Sequence, residues 1–87
     1  MAVYQGQVTV GTVATVLNPS RAQPGVIHVV NQDNTDTVYV GGSAVTTSNG
    51  HGIPKSGDVE LTIYADTVIY AIATKSGHTV TWLHITP

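Results

Sequence analysis

A chain of 87 residues without cysteine is one small domain that neither disulfides nor thiolate-held metal can reinforce. Only 9% of its residues are charged, against roughly 25% in ordinary soluble domains. Three scattered cations, Arg21, Lys55 and Lys75, in a chain of net charge −2 make no basic patch, which argues against nucleic acid and anionic membrane surfaces as partners. At this size, oligomerisation is the remaining common route to added stability.

The longest apolar stretch, residues 68–73, is far shorter than the roughly 20 residues of a membrane-spanning helix. The opening Met1-Ala2-Val3-Tyr4-Gln5 lacks the charged and apolar regions of a signal peptide. The expectation is a soluble protein made in a cytoplasm.

Thr and Val are frequent, and no window keeps a helical apolar period, so every element is expected to be a strand. In chain order, strands are expected at residues 7–10 and, after Gly11, at 12–17. Residues 18–25, with two prolines and a glycine, read as a loop. A strand at 26–31, a polar turn at 32–36 and a strand at 37–40 follow. Gly41-Gly42 marks a bend, residues 44–47 a short strand, and 48–52 a turn suited to positive φ. Residues 58–64 alternate most cleanly, with Val59, Leu61 and Ile63 on one face and Glu60, Thr62 and Tyr64 on the other. The last strands, 67–74 and 79–86, are expected to form a hairpin through Lys75-Ser76-Gly77-His78. Lys-Ser-Gly occurs at residues 55–57 and again at 75–77, and reads as one turn chemistry used twice.

The fold expected is all-β, a small antiparallel β-sandwich or jelly-roll-like barrel of about seven or eight strands. Residues 1–6 form an N-terminal arm ahead of a single domain at 7–87. Residues 26–30 and 68–73 are apolar on both faces. This predicts cover on both sides, from a partner subunit or docking surface or from the chain's own loops.

Catalytic chemistry finds little support. Hydroxyl side chains abound, but there is no G-x-S-x-G elbow and no histidine in a recognisable signature. Asp33, Asp36, Asp58 and Asp66 have turn or strand-start explanations, and Glu60 reads as solvated. His28, His51, His78 and His84 never fall at i, i+2 or i, i+4, so no metal site and no cofactor is expected. Trp82 reads as core, while Tyr39 and Tyr64 read as outward.

The segments at residues 10–17, 38–50 and 69–73 resemble small β-sandwich structural proteins of tailed bacteriophages, among them capsid decoration proteins and head-fibre domains. The resemblance runs from about Gln7 to Ile85 and is a pattern of strands and glycine turns. Gly41-Gly42-Ser43 and Asn49-Gly50 match; with Gly57 and Gly77 they read as structural turns. The resemblance implies a non-enzymatic virion protein, made in the host bacterial cytoplasm and added to the capsid exterior. It implies contact with the major capsid protein and a homo-oligomer, a trimer by preference. Val3, Tyr4, Tyr39 and Tyr64 are the candidate interface residues. A glycan- or receptor-binding module of a fibre or tail is the alternative, with Tyr39 and Tyr64 as its platform.

Overall fold

The computed structural model of the chain describes residues 2–17, 24–32, 35–64 and 67–86. They hold eight strands: β1 (Ala2–Val10), β2 (Thr15–Val16), β3 (Gly25–Asn31), β4 (Val38–Gly41), β5 (His51–Ile53), β6 (Asp58–Ile63), β7 (Tyr70–Ala73) and β8 (His78–Thr86). Most of the expected 18–25 loop lies outside the described residues, as do Arg21, Asp33 and Asp66.

All pairings are antiparallel. Sheet I runs β1-β8-β3-β6 and sheet II runs β2-β7-β4-β5, and the two pack as the expected β-sandwich. Period-2 alternation sorts each strand between core and solvent. Val10, Ile27, Val29, Ile63, Val80 and Trp82 of sheet I meet Val38, Val40, Ile53, Ala71 and Ala73 of sheet II in one cluster, which Leu17 and Ile69 complete.

One polar side chain is fully buried at the end of β3, beside this core. Asn31 is fully buried, and its Nδ2 donates to the carbonyls of Asp36 and Ile53 at 3.0 Å and of Pro54 at 3.3 Å. Those carbonyls belong to the chain entering β4 and leaving β5, so a sheet I side chain holds the far edge of sheet II. A buried amide is tolerable here because its donors are satisfied.

Several sequence expectations change. Residues 44–47 are not a strand: Thr46 Oγ1 accepts from the N–H groups of Ser48 and Asn49, while Asn49 Oδ1 accepts from the Thr46 N–H at 2.7 Å. These local bonds give the backbone an alternative to a ladder. Residues 51 and 52, expected in the turn at 48–52, belong instead to β5 (His51–Ile53). Gly50 is not in a positive-φ conformation; its role is space, since a Cβ there would lie 2.7 Å from that of Tyr39.

The expected hairpin at 75–78 is an arch between sheets, since β7 pairs with β2 and β4 whereas β8 pairs with β1 and β3. Gly77, at φ 86°, reverses the chain in either case, so the turn residues do not encode which sheet comes next. The arm boundary expected after residue 6 also dissolves. Residues 2–6 are the first half of β1, paired in register with residues 82–86 of β8.

Candidate interaction surfaces

The outer face of sheet I follows directly from its register. One cross-strand row holds Val3, Ile85, Val26 and Thr62; the next holds Gln5, Leu83, His28 and Glu60. Val3, Leu83 and Ile85 are 56%, 39% and 41% exposed, and Val26 is half-buried beside them. They make a contiguous apolar patch across β1, β8 and β3. Toward β6 the face turns polar, where His28 Nε2 meets Asp58 Oδ2 at 2.5 Å. Exposed apolar area gathered in one place, with a polar border, is the usual mark of a contact surface.

The outer face of sheet II is also apolar but more closely covered. Tyr39 lies opposite Ile72 and Gly52, and Tyr70 lies opposite Val16 and Gly41. The Tyr39 ring folds over Gly52, where a Cβ would meet its Cε2 at 3.4 Å. Residues 68–73 were expected to be apolar on both faces. Ala71 and Ala73 enter the core while Tyr70 and Ile72 stay half-buried on the outside.

The four residues singled out as interface candidates do not share one face. Val3 points outward from sheet I, but Tyr4, its neighbour, is on the opposite side of the same strand. There its ring centroid lies 6.0 Å from that of His84. Tyr39 belongs to sheet II. Tyr64 is 72% exposed just past β6, where its N–H and carbonyl both bond to Thr67. The tyrosine pair required for a glycan platform is thus divided between the two sheets.

Leu83, Ile85 and Val26 were missed as surface candidates. Their signal was present: once Trp82 is assigned to the core, period 2 sends Leu83 and Ile85 outward.

The other glycine-marked turns are structural. The Val45 N–H donates to the Gly42 carbonyl at 3.0 Å, closing the bend after β4 and burying Val45. Gly57 packs against Pro54, 2.9 Å from where a Cβ would stand.

The titratable groups are dispersed. His78 is buried 3.2 Å from Asp36 Oδ2 at one end of β8. His84 is buried near the other end, and among the described residues its Nε2 has no hydrogen-bond partner. A shallow depression of about 350 Å³ opens between β6 and sheet II, lined by Val40, His51, Leu61, Val68 and Ile69. Among the described residues, His51 is the one titratable side chain lining it. Among the described residues, no three His, Cys, Asp or Glu side chains are placed to hold a metal ion. Among the described residues, no helix is long and apolar enough to cross a membrane.

No family model, curated protein or solved structure matches this chain. The surfaces themselves carry the functional reading.

Proposed function

We propose that the chain is a structural virion protein that seats on the exterior of a tailed-phage capsid and reinforces contacts between major capsid subunits, acting as a homo-oligomer. The observation that supports this most is the patch of Val3, Leu83, Ile85 and Val26 on the outer face of sheet I. Fully burying a Val, Leu or Ile side chain contributes about 1.5–3 kcal/mol before binding costs are subtracted. One patch of this size therefore gives a weak contact. Display on a symmetric lattice makes many such contacts act together, so weakness per copy is no obstacle. The sequence pattern of glycine turns adds the particle class by resemblance. The glycan-binding alternative is not carried forward, because Tyr39 and Tyr64 stand on different sheets.

Co-sedimentation of the purified protein with undecorated capsids tests the reading. Wild type is expected to pellet with the capsids, and Leu83→Lys with Ile85→Lys to remain in the supernatant while keeping the wild-type melting curve. Failure of wild type to pellet at saturating concentration overturns it.

A further inference from the structure

Four strands bound the two sheets, and they meet solvent differently. β2 and β5 are two and three residues long, too short to template another strand. β6 carries Asp58 and Glu60 at exposed positions, and edge charge discourages an incoming strand. β1 has none of these protections. It runs nine residues with no charge and no proline, and its register with β8 is unbroken by any bulge.

Which backbone groups face the open edge follows from alternation. The Gln32 N–H donates to the Thr79 carbonyl at 3.0 Å, one step beyond the Asn31–Val80 partners. Hydrogen-bonded and non-bonded pairs alternate along an antiparallel ladder. The odd-numbered residues of β8 therefore bond to β3, and the even-numbered residues, from His78 to Thr86, bond to β1. Their partners are the even-numbered residues of β1. The N–H and C=O groups of Val3, Gln5, Gln7 and Thr9 consequently point away from β8.

We propose that a second copy of this chain occupies that edge, the two β1 strands pairing antiparallel about a two-fold axis at Gly6. Only edge-directed groups can bond, which limits the register to odd residues opposite odd residues. The register that overlaps all nine positions sets Val3 opposite Thr9, Gln5 opposite Gln7, Tyr4 opposite Val8 and Ala2 opposite Val10. Every edge-directed N–H and C=O of both chains is then paired.

The side chains suit the same register. Tyr4 with Val8 is an aromatic–β-branched pair, Val3 with Thr9 is a β-branched pair, and Gln5 with Gln7 joins two amides; no like charges meet. Tyr4, 45% exposed in the single chain, acquires a cross-strand neighbour. At the axis Gly6 has no side chain, and the ring of its own Trp82 fills that space. A two-fold interface must be complementary to itself, and this strand is. The two sheets I would join into one continuous sheet. This inference goes beyond the capsid reading and does not depend on it.

Light scattering and cysteine cross-linking test it. The wild-type chain is expected at roughly 18 kDa, twice its 9.1 kDa, as two-fold closure requires. Gln5→Lys with Gln7→Lys, which sets like charges opposite each other only across the axis, is expected to run as a monomer. The chain has no native cysteine, so Tyr4→Cys with Val8→Cys reports on this register alone. The double variant is expected to oxidise to covalent dimers, and neither single variant is. Covalent dimer formation by the double variant supports the proposal even if the lysine variant fails to fold. A monomeric or trimeric wild type overturns it, as does a dimer that fails to cross-link through residues 4 and 8.

Discussion

The indole of Trp82 fills the space over Gly6 on the neighbouring strand, where a Cβ would stand 2.7 Å from Cε2, Cζ2 and Nε1 of the ring. Glycine inside a strand ordinarily weakens it, and replacing it by alanine where space allows stabilises by about 0.4–1 kcal/mol. Here the ring blocks that gain. Gly6→Ala is expected to lower stability by about 1–3 kcal/mol, as overpacking of a filled core does. Urea unfolding gives the sign, and the sign decides between the two effects. Adding Trp82→Leu should make the alanine better tolerated than it is beneath the indole.

Asn31 should be the most sensitive polar position in the core. Its amide serves carbonyls on both sides of β4 and β5, at Asp36, Ile53 and Pro54. Removing the donor leaves buried acceptors unpaired, at about 1–3 kcal/mol for such a group. Asn31→Leu supplies apolar volume but no donor, so it is expected to destabilise by at least about 2 kcal/mol. Asn31→Asp should be as damaging, because a carboxylate presents acceptors to acceptors. Denaturant melts of both variants check this, and a neutral Asn31→Leu would show that the amide is dispensable.

The strands were legible where period 2 was strong. Residues 58–64 alternate as expected, and Trp82 is buried. The path between strands was less legible, since Gly77 serves a hairpin and an arch equally. Residues 44–47 misled because Val and Thr favour strands on average, while Thr46 and Asn49 find each other through local hydrogen bonds. For the surface, Val3 was visible as an apolar residue in the N-terminal segment, whereas Leu83 and Ile85 alternate with the inward-facing Trp82 and His84 and show as surface only once that alternation is fixed. The open β1 edge needed the partner strands to be known, because an edge is a property of the sheet and not of the strand.

The two Lys-Ser-Gly tripeptides are expected to respond differently to substitution. In the first, Ser56 carries the left-handed conformation, at φ 57°, and Gly57 is required by the closeness of Pro54. In the second, Gly77 is left-handed at φ 86° with open space around it. Gly77→Ala should cost about 1–2 kcal/mol through backbone conformation alone. Gly77→Asn should recover part of that loss, because Asn tolerates the left-handed region. At Gly57, alanine and asparagine should be equally harmful, since any Cβ meets the proline. Melting temperatures of the four variants separate conformation from space.

Two histidine–aspartate pairs, one on the outer face of sheet I and one between β8 and the chain entering β4, should differ in weight. His28 and Asp58 are 40% and 62% exposed on the outer face. Surface pairs of that kind contribute about 0–1 kcal/mol and weaken with salt. Asp58→Ala is therefore expected to move the urea midpoint little, and still less at high salt. His78 is 5% exposed, and Asp36 Oδ2 stands 3.2 Å from its Nε2. Asp36→Ala takes an acidic neighbour from a buried imidazole, so it is expected to move the midpoint more than Asp58→Ala does and to be less sensitive to salt. Asp36 also anchors Asn31, but through its backbone carbonyl, which the substitution retains. A double-mutant cycle with His78→Ala isolates the pair from that neighbouring bond. Equal effects from Asp36→Ala and Asp58→Ala would mean that burial does not set the strength of these pairs.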